Sequence, residues 1–167
     1  MPVIAALHGG VIGGGLELAA AAHIRIAERN TYYVLPEGMR GIFVGGGGAV
    51  RIPRLIGTSR MVDMMLTGRT YSAEQDGLGV SHYVVENGNG LAAAVELAEQ
   101  IGKNTAISNF AVIQALPRSA RADSGGGFFM ESLMAAIAVS DGEAKVRLRD
   151  FLDKRSAKAL HRPVAEE

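Results

Sequence analysis

The feature that most constrains the fold is a short apolar segment that leads through glycines into a helix-forming segment. Residues 3–8 are mostly apolar and are followed by Gly9 and Gly10, as buried strands often are when they lead into a turn. Three more glycines, at positions 13–15, precede a run of leucine, glutamate and four alanines that favours a helix. The segment therefore predicts a strand, a glycine turn and a helix in succession.

Further along the chain, strand-like segments lie in the first half and helix-like segments in the second. Short strands are predicted at residues 24–27, 32–35 and 80–85. Helical periodicity covers residues 49–66 with breaks at Pro53 and Gly57, 91–101, 109–116 up to Pro117, 128–139 and 143–160. This order predicts an α/β fold, with a β/α core over residues 1–104 and a helical region over residues 105–167.

Three shorter segments give local predictions. Residues 72–74 resemble a helix start, and the polar, glycine-rich residues 122–127 predict a mobile loop. Residues 38–48 contain six glycines among eleven positions, too many for a regular element. We expect a loop whose backbone passes close to a ligand or to another strand, or a linker.

The charge balance excludes several classes of partner. The 17 basic and 17 acidic side chains cancel, so no overall field favours nucleic acid or a membrane surface.

The chain has no cysteine, which excludes disulfides and thiolate sites and fits an intracellular protein. Residues 1–7 lack the features of a signal peptide, and no apolar stretch approaches the roughly 20 residues that cross a bilayer. We expect a cytoplasmic protein with neither nucleic acid nor membrane as partner.

The glycine run at residues 13–15 is the first candidate for a functional role. A glycine turn that opens a helix leaves backbone N–H groups pointing outward, where the helix dipole also favours negative charge. The spacing matches neither a phosphate-binding loop nor a dinucleotide-binding fingerprint. A tight crossing from strand to helix, with no ligand, explains the same pattern.

Glu17 and Glu37 are the candidate acid/base pair. Glu17 falls in the first turn of the predicted helix, where a carboxylate also serves simply to balance the dipole. Glu37 follows an apolar strand and Pro36, so both carboxylates flank glycine-rich backbone. Two such groups can remove and deliver protons on either side of a bound water. The four histidines show no metal-ligand spacing, and no serine has the setting of a hydrolase nucleophile.

The chain resembles the enoyl-CoA hydratase/isomerase (crotonase) superfamily. The stretch that carries the resemblance is PVIAALHG at residues 2–9, followed by IGGGLELA at residues 12–19. Further matches follow in family order: residues 35–37, Gly41, residues 45–48, Arg51, residues 54–57, residues 66–68 and FLDKR at residues 151–155. The resemblance covers nearly the whole chain and implies a partial β/α spiral core followed by the family's helical C-terminal region.

The resemblance also implies a function and a set of site residues. The backbone N–H of Gly14 would be one of two oxyanion-hole donors that hold the thioester carbonyl of an acyl-CoA. Glu17 and Glu37 match the glutamates that, in hydratases, activate water and transfer a proton at the α-carbon of a 2-enoyl-CoA. Phe151 and Lys154 match positions that bind the coenzyme A end in a neighbouring subunit. The acyl-CoA is the substrate and no cofactor is expected, and the family assembles as trimers that often pair into hexamers.

Alternatives within and outside the enzyme class remain. An isomerase or hydratase-lyase acting on an aromatic or branched acyl-CoA uses the same framework, although many such members lack one of the two glutamates. A non-catalytic crotonase-like fragment is the alternative of a different class. Val44, residues 49–50 and Arg40 differ from the usual family pattern and bear on the loop shape and the acyl pocket.

Family chains also have a substantial segment before the strand that matches residues 2–7. It supplies further strands, much of the coenzyme A pocket and the second oxyanion N–H. Loss of one such donor costs about 3–4 kcal/mol of transition-state stabilisation. We therefore expect these 167 residues alone to be inactive or nearly so.

Overall fold

The computed structural model describes residues 1–75 and 78–153. They form two compact units, Met1–Lys103 and Asn104–Glu167, the second described as far as residue 153. The strands belong to the first unit, and the second is helical throughout its regular elements. The predicted order, a β/α core followed by a helical region, is confirmed.

The first unit contains two three-stranded sheets. One sheet holds β1 (Ile4–Leu7), β3 (Ile24–Glu28) and β6 (Tyr83–Val85), all parallel and in the order β1-β3-β6. The other holds β2 (Gly10–Ile12), β4 (Tyr32–Val34) and β5 (Tyr71–Ser72); β2 and β4 are parallel, and β5 is antiparallel to β4. The sequence pattern did not predict β2, because the strand begins at Gly10 and is followed directly by three glycines, so that it looks like part of a turn.

The chain visits the two sheets in a repeating order. After β1, Gly9 adopts a left-handed conformation with φ of 58°, and the chain enters the second sheet as β2. After β3, the chain passes through a short connection into β4 of the same second sheet. Each turn therefore contributes one strand to each sheet, and successive turns stack through parallel pairs, β1 with β3 and β2 with β4. This repetition produces a spiral.

Within residues 1–75 and 78–103, five helical segments complete the first unit. They are α1 (Gly14–Ala19), a 3-10 turn (Gly38–Arg40), α2 (Gly48–Ile56), α3 (Thr58–Thr67) and α4 (Gly90–Gly102). The core includes Leu16, Tyr33, Leu35, Ile52 and Met64, each with an exposed fraction of 0%. The predicted break at Gly57 is present, whereas Pro53 lies inside α2 without ending it.

Helix α1 is shorter than its alanine run suggests. It ends at Ala19, and the next three alanines turn towards β3. Arg25 on β3 is buried, and its Nη1 donates to the carbonyls of Ala22 (2.7 Å) and Ala19 (3.4 Å) while its Nε donates to Val80 (2.6 Å). The guanidinium thus satisfies carbonyls that a longer helix would have satisfied internally.

We expect His82 to make the folded state sensitive to acid. Its Nδ1 accepts the backbone N–H of Arg25 at 3.1 Å, and the backbone N–H of His82 donates to the Arg25 carbonyl at 2.9 Å. Burial, and then the nearby Arg25 guanidinium, lower the pKa of His82 from its ordinary 6.5. The unfolded chain therefore binds this proton more readily than the folded chain does. The contribution is fully present above pH 6.5 and declines as the pH falls below it.

We accordingly expect the unfolding midpoint in urea to fall more steeply between pH 7.5 and pH 5.5 in the wild-type chain than in His82→Asn. Asparagine can still accept the Arg25 N–H but does not titrate, which makes it the matched control. Parallel pH profiles for the two proteins would show that His82 is not responsible.

The second unit consists of helices separated by short turns. They are α5 (Ala106–Phe110), a π-helical turn (Ala111–Ala115), α6 (Leu116–Ser119), α7 (Ser124–Ser140) and α8 (Gly142–Leu152). No helix in the described residues is both long and apolar enough to cross a membrane.

Three local predictions were wrong. The helical region does not stop at Pro117, because a π-helical turn precedes it and Pro117 lies in the first turn of α6, where a backbone N–H would have no partner within the helix. Residues 124–127 are helical instead of looped, since Asp123 caps α7 by accepting the Gly126 N–H at 2.8 Å. Ser72 ends β5 instead of starting a helix, and its hydroxyl accepts the Glu74 N–H within a turn.

Candidate active site

Gly13 connects the second sheet to α1 and fixes where the helix begins. Its N–H donates to the Val34 carbonyl at the end of β4 (2.9 Å), and its carbonyl accepts the N–H groups of Leu16 (2.9 Å) and Glu17 (3.0 Å). The backbone has φ of 54° and ψ of −120°, a region that only glycine enters without strain. The glycine turn thus holds the start of α1 against the end of β4.

The first N–H groups of α1 are available to a ligand. Gly14 and Gly15 are exposed, and within residues 1–75 and 78–153 neither donates its N–H to another group. The first N–H groups of a helix point out along its axis and carry its positive end. The predicted oxyanion donor at Gly14 therefore has the exposure and the free N–H that the role requires.

Glu17 lies in the first turn of α1 and is held by the glycine-rich loop. Only 7% of the residue is exposed, and its Oε1 accepts the N–H groups of Gly46 and Gly48, both at 2.8 Å. A methyl group built on Gly48 would lie 2.7 Å from that oxygen. A residue with a side chain at position 48 could therefore not approach Glu17 this closely. Gly46 and Gly48 serve this contact, which accounts for part of the glycine excess in the sequence.

The Glu37 side chain lies against Gly13, the residue that precedes α1. Glu37 follows β4 and precedes the 3-10 turn, and its backbone carbonyl accepts the N–H groups of Arg40 and Ile42, both at 3.0 Å. The residue is 7% exposed. A methyl group built on Gly13 would lie only 2.6 Å from Oε1 of Glu37. Gly13 therefore has both a backbone and a steric reason to be glycine.

The second carboxylate oxygen of Glu37 has an unusual environment. Its Oε2 is buried and has no hydrogen-bond partner in the described part of the chain. A buried carboxylate oxygen without a partner costs free energy, and native structures leave few such groups without a protein or water partner. A water or a substrate proton would satisfy this oxygen.

The geometry brings three of the five predicted site residues to one place. Gly14 follows Gly13, whose carbonyl accepts the Glu17 N–H and whose α-carbon lies against Oε1 of Glu37. Phe151 lies exposed on α8 in the second unit, and Lys154 lies outside the described residues. Among the described residues, no three histidines or carboxylates are placed to hold a metal ion. The arrangement suits proton transfer beside a bound anion-like oxygen.

The sequence alone does not indicate which residues contact the two glutamates. The amides of Gly46 and Gly48 and the steric role of Gly13 follow only from tertiary contacts. The glycine excess in residues 38–48 was the available signal, and it predicted close approach without saying to what.

The sequence of this chain is similar to known proteins. The family model of enoyl-CoA hydratase/isomerase matches residues 1–159. The fatty acid oxidation complex subunit alpha of Shewanella frigidimarina (strain NCIMB 400) is 44% identical over 109 residues, which are 64% of this chain and 15% of that protein.

Solved structures are similar over nearly all of this chain. A protein of Rhodopseudomonas palustris CGA009, provisionally described as an enoyl-CoA hydratase, is 62% identical with a TM-score of 0.88, and the match covers 93% of this chain and 60% of that one. The enoyl-CoA hydratase of Bacillus anthracis is 32% identical with a TM-score of 0.83, covering 95% of this chain and 62% of that one. This chain thus spans about three fifths of the length of these solved relatives.

Proposed function

This chain belongs to the enoyl-CoA hydratase/isomerase family, and we propose that it carries the proton-transfer site of a 2-enoyl-CoA hydratase. The family assignment and the crotonase-like fold predicted from the sequence are confirmed. The reaction proposed is addition of water across the double bond of an enoyl-CoA thioester, which gives a 3-hydroxyacyl-CoA. No cofactor takes part in the proposed reaction.

One observation carries the proposal: two carboxylates, each on a residue with an exposed fraction of 7%, lie against glycine backbone near the start of α1, and one buried carboxylate oxygen has no partner in the described residues. Glu17 is fixed through Oε1, and within the described residues no group donates to its Oε2. Glu37 is buried with a bare Oε2. Two carboxyl groups are what hydration requires, since one accepts a proton from water and the other delivers one to carbon.

The proposed chemistry follows from these positions. The thioester carbonyl oxygen accepts the Gly14 N–H, which stabilises the negative charge that develops as the enolate forms. Water held between the glutamates loses a proton to one carboxylate as its oxygen bonds to the β-carbon. The other glutamate, protonated, delivers its proton to the α-carbon. Since water supplies one proton and the site returns one, the site ends with the same number of protons.

The coenzyme A end and the assembly are part of the same proposal. Phe151 and Lys154 match family positions that contact coenzyme A from a neighbouring subunit, so we propose a homotrimer or a dimer of trimers. The second oxyanion N–H would come from the family segment that precedes the strand matching residues 2–7. We therefore propose that turnover requires that segment.

A test compares these 167 residues with a chimera that adds the part of the 62%-identical Rhodopseudomonas palustris protein not covered by this chain. We expect the chimera to convert crotonyl-CoA to 3-hydroxybutyryl-CoA, with one solvent deuterium at the α-carbon in heavy water. The chain alone should be at least about 100-fold slower, because loss of one oxyanion donor costs roughly that factor.

The assay includes straight, branched and aromatic enoyl-CoA thioesters. A folded chimera that moves the double bond without taking up water would identify an isomerase and reject the hydratase proposal. A folded chimera that changes none of these thioesters would favour a non-catalytic role. Normal turnover by the 167 residues alone would reject the need for a further segment.

A further inference from the structure

Arg51 reaches back from α2 to the loop that holds Glu17. The residue is exposed, and its Nη1 donates to the Gly46 carbonyl at 2.9 Å. Gly47, with φ of 93°, leaves the space that the guanidinium occupies, because a Cβ there would collide with Nη1. The left-handed backbone at Gly47 and the nearby guanidinium both favour glycine at this position.

The opposite side of the same loop holds the carboxylate. The N–H groups of Gly46 and Gly48 both donate to Oε1 of Glu17. Gly46 thus contacts Arg51 through its carbonyl and Glu17 through its N–H. We propose that Arg51 is a positioning residue for Glu17, which acts through the conformation of residues 45–48; this inference rests on the proposed function.

The physical need for such a residue comes from the glycines. Four consecutive glycines have more backbone freedom than any other sequence, and fixing each residue costs about 1–2 kcal/mol of conformational entropy. A charge-assisted hydrogen bond from a guanidinium to a carbonyl restrains that freedom at one point. The two amides then point at Oε1 before substrate arrives, so Glu17 does not have to be reoriented during the reaction.

Helix α2 also offers a matched control. Arg54 lies three residues after Arg51, is exposed, and donates to no carbonyl of the loop within residues 1–75 and 78–153. Substitution of either arginine removes one exposed positive charge from the same helix. Only substitution of Arg51 removes the contact with Gly46.

The first readout is amide hydrogen exchange of Gly46 and Gly48, measured by NMR on the 167-residue chain. We expect exchange to be about 10-fold faster in Arg51→Ala, since hydrogen bonds to charged groups contribute enough to shift an opening equilibrium by that factor. Arg51→Lys should give an intermediate value, because it keeps the charge but loses the planar donor. Arg54→Ala should exchange as the wild type does.

The second readout is kinetic and uses the preparation that hydrates enoyl-CoA. Arg51→Ala should lower kcat about 10-fold with little change in KM, because the substrate contacts remain and only the proton carrier is misplaced. Arg54→Ala should leave kcat unchanged.

Unchanged exchange and unchanged kcat in Arg51→Ala would overturn the inference, and so would an equal effect of Arg54→Ala. If the wild type hydrates no enoyl-CoA while exchange still accelerates in Arg51→Ala, the proposed function fails and the hold of Arg51 on the loop stands. If the wild type is active and Arg51→Ala matches it in both readouts, the inference alone fails.

Discussion

Replacement of Glu37 by glutamine is expected to lower kcat for enoyl-CoA hydration about 100- to 10,000-fold, the range that a positioned proton carrier contributes. Glutamine has nearly the same shape, so it fits the space beside Gly13, but it cannot exchange a proton with water or carbon. Glu37 is the more informative of the two glutamates, since its Oε2 is buried without a partner in the described residues, whereas Oε1 of Glu17 already accepts two backbone N–H groups.

The measurement is steady-state hydration by the chimera, with unfolding monitored in parallel. Glu99→Gln, on the exposed side of α4, is the control for loss of one carboxylate and should leave kcat unchanged. Glu17→Gln should lower kcat as well, while its side-chain oxygen keeps the hydrogen bonds to Gly46 and Gly48. A folded Glu37→Gln protein with wild-type kcat would remove Glu37 from the mechanism.

The outline of the fold was predictable because it depends on local patterns. Residues 4–7, 24–28 and 90–102 carry strong periodicity or apolar runs, and their elements form where the sequence indicated. The errors fall where a single side chain decides the outcome. Asp123 caps a helix that three glycines would disfavour, and Arg25 satisfies carbonyls beyond the end of α1. Such contacts are specific to one geometry and leave no periodic trace in the sequence.

The candidate site was predictable in its chemistry but not in its contacts. Glu17 and Glu37 were chosen because both flank glycines, and the structure places both against glycine backbone. The residues that hold Glu17 lie 29 and 31 positions away from it in the chain, so only the packing of α2 against α1 reveals them. The neighbour of Glu37 is likewise remote, at Gly13.

Replacement of Gly48 by alanine is expected to displace Glu17 and to lower kcat about 100-fold, because a shift of about 1 Å in a reacting group costs roughly that factor. Gly48 is the first residue of α2, and the structure gives it no left-handed backbone. Alanine is the better helix former by about 1 kcal/mol, so any loss comes from contact with the Glu17 side chain. The added methyl would lie 2.7 Å from Oε1 and 2.8 Å from Cγ. Overpacking of this kind costs about 1–3 kcal/mol of stability.

A double-mutant cycle isolates that contact from every other effect of the substitution. Glu17→Ala removes the side chain that the new methyl meets, so Gly48→Ala should cost less stability in the Glu17→Ala background than in the wild type, with a coupling of about 0.5–3 kcal/mol. Gly45→Ala, in the same loop with no atom within 4 Å of the added methyl, should change neither stability nor kcat appreciably. Equal costs of Gly48→Ala in both backgrounds would mean that the loop does not press on Glu17. The two short hydrogen bonds to Oε1 would then be incidental to the position of the carboxylate, and the role proposed for Arg51 would lose its basis as well.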